Sequence, residues 1–143
     1  MAPLQKRAWW GLIIGIVFAV AFALVFAFMG GIDAFEEDQS FRIIVDILLI
    51  GGLLANLVIM ELTLRHPSQV DERDRLIQGR APRVQWLAIV FTLVTWVIAL
   101  TEVYHETGMV PSVYLYVIFM SVLMVSTLSN CAGILIGYWI MDR

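Results

Sequence analysis

From Ala8 to Ile32 the chain runs through 25 residues without a charge, and a stretch of that kind leaves little choice of fold. A helix crosses a hydrocarbon core of about 30 Å with roughly 20 mostly apolar residues. Membrane barrels instead build from alternating segments of about ten residues, a pattern missing here. The run therefore predicts a spanning helix, whose backbone polar groups are all satisfied internally. Three further segments qualify: Ile43 to Leu64, with Asp46 and Glu61 towards its ends; Val84 to about Tyr104; and a crossing inside the uncharged stretch Thr107 to Met141 that begins near Pro111. The expected architecture is all-α, an integral membrane four-helix bundle forming a single membrane domain over 1–143. Its spans cover about 8–30, 43–64, 84–104 and 111–140, with a loop at 65–83. Composition agrees, since a soluble chain of 143 residues cannot hide a surface from 61% hydrophobic residues with only 15% charged.

Charge sets the expected orientation. Eight of the nine basic residues (Lys6, Arg7, Arg65, Arg73, Arg75, Arg80, Arg83 and Arg143) fall on one side of this layout, and only Arg42 falls on the other. The positive-inside rule then places both termini and the 65–83 loop in the cytoplasm, and in a bacterium the membrane would be the inner one. Trp9, Trp10, Trp86, Tyr138 and Trp139 fit an aromatic belt at that interface, and Tyr104, Tyr114 and Tyr116 one at the opposite face. Lys6 and Arg7 ahead of an apolar run also resemble the start of a signal peptide, but the run outlasts a typical h-region of about 7–15 residues, so the segment is expected to stay attached.

Several chemistries lack their residues. A net charge of −3 offers no basic field for a nucleic-acid backbone. Cys131 is the only cysteine, so neither a disulfide framework nor a cysteine-based metal site forms within one chain. His66 and His105 fall on opposite sides of the layout, which disfavours paired haem ligation. Glu102, His105 and Glu106 have the Glu-x-x-His spacing of di-metal bundles, but a second such pair is missing. Solvated residues at the outer boundary are the competing reading of that trio, which Asp33 and Glu36 could otherwise extend. No cofactor is expected, and catalysis has no visible seat.

Helices in lipid associate through close backbone approach, so small residues mark packing seams. Gly11, Gly15 and Ala19 recur every four residues in the first span, and Ser129, Gly133 and Gly137 do so in the last. They either pack the bundle internally or form a homodimer seam. Polar groups inside spans are the other signal, because each is costly there. Asp46 and Glu61 lie about 22 Å apart along one helix and cannot act as a pair; Arg42 and Arg65, each four residues away, are their ready partners. Asn56 and Asn130 lie deeper, suited either to hydrogen bonds between helices or to a polar path between the second and fourth.

The loop carries the most distinctive run, Asp71-Glu72-Arg73-Asp74-Arg75, with Ile77 following. Its acids suit the N-terminus of a short loop helix, with Val70, Asp74 and Ile77 along one side to rest on the membrane or the bundle, and Gly79 and Pro82 are expected to punctuate the chain before the third span. The Asp-Glu-Arg-Asp-x-x-Ile segment, sited between spans two and three, resembles the signature of a family of small prokaryotic four-span membrane proteins of unknown function. That resemblance implies the fold and topology and supplies no catalytic residue. The functional expectation is a non-enzymatic protein acting through contacts, as an accessory subunit or an anchor for a cytoplasmic regulator. Asp71, Glu72, Arg73, Asp74, Arg75 and Ile77 would form its exposed contact surface, membrane lipid its surroundings, and a homodimer is allowed. The alternative is a small oligomeric transporter or channel that uses Asp46, Asn56, Glu61 or Asn130.

Overall fold

The computed structural model describes residues 3–28, 30–64 and 72–141. Four long helices, each long and apolar enough to cross a membrane, form the bundle. These are α1 (Pro3–Phe28), α3 (Gln39–Leu64), α4 (Glu72–Val103) and α5 (Val113–Met141), and a short α2 (Gly31–Glu37) joins the first two. The turn from α1 into α2 depends on Gly30 and Gly31, whose φ angles of 94° and 75° lie where a side chain is disfavoured. Asp38 then starts α3, its Oδ1 accepting the Ser40 N–H at 2.8 Å.

Two apolar clusters define the ends of the bundle. At one end Leu4 and Ala8 of α1 meet Ile77 and Ala81 of α4 and Cys131, Ile134 and Tyr138 of α5. At the other, Phe35 of α2, Phe41 and Val45 of α3 and Val113 of α5 pack with Phe22, Val25 and Phe26 of α1. Phe41 is the centre of this second cluster, edge-on to Phe26 at 5.3 Å and to Phe35 at 5.7 Å between ring centroids. The start of α1, the start of α4 and the end of α5 therefore share one end of the molecule. Lys6, Arg7, Arg75, Arg80 and Arg83 belong to that end, and Arg42 to the opposite one.

The helices are not equivalent. α5 touches α1, α3 and α4, whereas α3 and α4 make no comparable contact with each other. α5 is thus the central helix, and from Ser121 to Asn130 it has no fully exposed residue. α4 leans on α5 along a single stripe and leaves Trp86, Phe91, Val94, Val97 and Ile98 exposed.

The short helix expected within the 65–83 loop is, from Glu72 onward, the first part of α4. α4 begins at Glu72 and continues through Gly79 and Pro82 as one 32-residue element, so neither residue punctuates the chain. The reason is the face formed by Asp74, Ile77 and Ala81, spaced i, i+3, i+7 and all buried. Burying that face keeps the helix going past the donor that Pro82 lacks.

Candidate functional site

The small-residue stripes are occupied within the chain. A Cβ on Gly15 would stand 2.9 Å from Leu128 Cδ2, one on Gly137 2.8 Å from Ile77 Cγ2, and one on Gly133 3.4 Å from the Ala81 backbone. Gly15 lets α1 approach α5, while Gly133 and Gly137 admit α4 on another side. Gly11 is buried and Ala19 half-buried in keeping with this. Ser129 turns its hydroxyl back to the Val125 and Ser126 carbonyls of its own helix. Of the two readings of these stripes, internal packing describes Gly15, Gly133 and Gly137.

Polar ties converge on α5 as well. Asn56 of α3 donates its amide to the Thr127 hydroxyl and, at 3.4 Å, to the Leu123 carbonyl, which also accepts from Thr127 at 3.0 Å. Gln85 Nε2 of α4 donates to Ser126 Oγ at 2.6 Å, and Trp96 Nε1 to Ser121 Oγ at 2.8 Å. At the end of the bundle the Tyr138 hydroxyl donates to Asp74 Oδ1, a carboxylate only 5% exposed. Thr127, Gln85, Trp96 and Ser121 had not stood out in the sequence. Gln85 was detectable, as an amide one residue inside the third apolar run; the hydroxyls and the indole carry no such signal by themselves. Asn130 is half-buried on the same helix.

Beside the Asn56 tie lies a cavity of about 30 Å³ between α1, α3 and α5. Ile14, Phe18, Ala55, Met120 and Leu123 line it, and Asn56 and Thr127 are its polar members. Such a volume holds about one or two water molecules.

The loop motif divides by face. Ile77, 1% exposed, packs on Gly137, and Asp74 meets Tyr138. These two members of the expected exposed surface therefore point into the molecule, because the helical spacing that aligns them also aligns them with α5. Tyr138 is correspondingly a buried donor and no interfacial anchor. Glu72 and Arg75 face outward, together with Leu76, Arg80 and Arg83. Asp71 lies outside the described residues, and the Arg73 side chain is not described.

Other expectations are corrected. Glu102 lies in the last turn of α4, which ends at Val103, whereas His105 and Glu106 lie in the turn that follows, where the Gly108 N–H reaches the Tyr104 carbonyl at 2.9 Å. Among the described residues no group of three or more His, Cys, Asp or Glu is placed to hold a metal; the side chains of Asp33 and Glu36 are not described. Asp46 is exposed and, among the described residues, has no ion pair, so Arg42 is not its partner along the helix. Glu61 is also exposed and does have an interaction, while Arg65 lies outside the described residues.

No known protein family, curated protein or solved structure matches the chain.

Proposed function

We propose that the protein is a four-span integral membrane protein, with both ends cytoplasmic, that works by contact as an accessory subunit or membrane anchor for a cytoplasmic partner. The observation that carries this reading is the unbroken α4. At 32 residues it measures about 48 Å, against a hydrocarbon core of about 30 Å. With residues 84–103 in the bilayer, its first three turns stand in water beside the ends of α1 and α5, whose Leu4, Ala8, Ile134 and Tyr138 pack with its Ile77 and Ala81. Outside lipid the hydrophobic effect holds such a cluster together, and the Asp74–Tyr138 hydrogen bond fixes it further. The product is a stiff three-helix stub whose outer face presents Glu72, Arg75, Leu76 and Arg80. Among the described residues, three arginines (Arg75, Arg80 and Arg83) stand against Glu72 on that side, which suits a partner with acidic groups.

The interior supports contact over solute transport. Asn56 is committed to Thr127 and Gln85 to Ser126, and the pocket beside Asn56 is small and lined mostly by apolar side chains. The basic residues gathered at the stub support a cytoplasmic location for it, which in a bacterium makes the membrane the inner one.

Photocrosslinking in cells tests the reading. Probes at Leu76 and Arg80 are expected to form adducts with a partner, a probe at Ala81 none, and the combined Glu72→Gln, Arg75→Gln change is expected to abolish them. Equal adducts from Leu76 and Ala81, or adducts untouched by the neutralised variant, would contradict it.

A further inference from the structure

Arg80 and Arg83, in the first half of α4, are exposed and make neither an ion pair nor a hydrogen bond among the described residues. The indole of Trp86, one turn further on, is 66% exposed and equally without a hydrogen bond there. α1 offers only Lys6 in this state, because Arg7 already has an interaction. Depth separates the two arginines from the rest of the stub. With Val84 at the edge of the hydrocarbon, Arg83 stands about 2 Å and Arg80 about 6 Å outside it, whereas Arg75 stands about 14 Å out. Lipid headgroups occupy roughly 5–7 Å on each side of the core, so Arg80 and Arg83 lie at the level of the phosphates and Arg75 beyond them.

Towards the bilayer the same face of α4 is apolar. Leu87 lies seven residues after Arg80 and four after Arg83, and Phe91, Val94 and Ile98 continue its line at intervals of four, three and four. All four are exposed, since α4 leans on α5 with a different side, through Ile77, Ala81 and Gln85. One uncovered surface therefore carries two guanidinium groups at phosphate depth, an indole N–H just inside them, and an apolar track about 17 Å long leading into the bilayer.

We propose that this surface holds one anionic phospholipid of the cytoplasmic leaflet, its phosphate accepting hydrogen bonds from Arg80 and Arg83 and an acyl chain lying along Leu87, Phe91 and Val94. The inference rests on the bilayer placement proposed above, and it leaves Glu72, Arg75 and Leu76 to the cytoplasmic partner. Guanidinium groups suit the site because each presents paired N–H donors that match phosphate oxygens. The headgroup must carry net negative charge, as a zwitterionic lipid brings an ammonium group up against two cations. Trp86 fits the junction of head and tails, where an indole keeps its ring in the apolar layer and its N–H near the lipid ester oxygens. Arg75 adds less, because salt screens such attraction within about 8 Å in the open solution.

The full chain in phosphatidylcholine vesicles, carrying Cys131→Ala and one new cysteine labelled with a fluorophore, provides the test. Quenching by brominated lipids reads which lipid lies beside the label. At Leu87→Cys, brominated phosphatidylglycerol is expected to half-quench at a mole fraction roughly tenfold lower than brominated phosphatidylcholine. At Leu57→Cys, on the outward face of α3 in the same leaflet, the two lipids should quench alike. Arg80→Gln/Arg83→Gln should remove the preference at Leu87 with phosphatidylcholine quenching unchanged, which shows that the chain remains folded in the bilayer. Glu72→Gln/Arg75→Gln should leave the preference whole, and free glycerol phosphate at millimolar concentration should not displace the lipid. The proposal is overturned by a preference that survives Arg80→Gln/Arg83→Gln, falls with Glu72→Gln/Arg75→Gln, or is shared by Leu57. Displacement by glycerol phosphate also overturns it, since the site would then read a phosphate and no lipid. A Leu87 label quenched by neither lipid defeats the bilayer placement itself, whereas equal quenching by both leaves that placement intact and defeats the lipid site alone.

Discussion

Tyr138 and Asp74 are separated by 64 positions, yet one hydrogen bond joins them at the end of the bundle where α1 and α4 begin and α5 ends. A buried carboxylate deprived of its donor costs about 1–3 kcal/mol, so Tyr138→Phe should lower the thermal midpoint of the detergent-purified protein by several degrees. Asp74→Asn should cost less, because an amide oxygen still accepts the bond. Unchanged melting of Tyr138→Phe would show that the contact contributes nothing. Read as sequence, Tyr138 resembles an interfacial aromatic and Asp74 one acid in a charged run, and nothing local to either names the other. Asn56 was easier to single out. An amide deep in an apolar span must find a partner, although which helix supplies it depends on packing that periodicity does not describe.

At the scale of elements, α4 holds the largest departure from expectation. Gly79 and Pro82 are the usual marks of a chain break, and the burial of Asp74, Ile77 and Ala81 against α5 overrides them. Two glycines test this with opposite signs. A Cβ on Gly79 meets nothing within 4 Å, and the residue has no positive φ. Gly79→Ala should therefore raise stability by about 0.5–1 kcal/mol, as for an exposed position inside a helix; a loss would indicate a turn there instead. Gly137 is the opposite case, since its Cβ would stand 2.8 Å from Ile77 Cγ2. Gly137→Leu should cost about 1–3 kcal/mol through overpacking, and Ile77→Ala in the same chain should return part of it. Strict additivity of the two changes in a double-mutant cycle would mean that the helices do not meet there. The stripe containing Gly133 and Gly137 was readable from its spacing. That it receives α4 could not be read, because the same small-residue face serves a neighbour in the chain or another copy equally well.

For the molecule as a whole, four apolar helices follow from the spacing of charges alone, and α1, α3 and α5 fall close to the runs that predicted them. Their arrangement is less legible. α5 becomes the hub because Ser121, Ser126 and Thr127 supply hydroxyls to two neighbouring helices while Gly133 and Gly137 supply room to one of them. That concentration of small and polar residues in one span was the available signal. The central claim is that the chain crosses the membrane four times with its amino end and the α4 extension on the same, cytoplasmic, side. Labelling of intact cells with a membrane-impermeant maleimide measures this most directly, using single cysteines at Gln5, Leu76 or His105 in a Cys131→Ala background. The account predicts reaction at position 105 in intact cells, and at positions 5 and 76 only after permeabilisation. Reaction at position 76 in intact cells, or positions 5 and 76 responding differently, would contradict it.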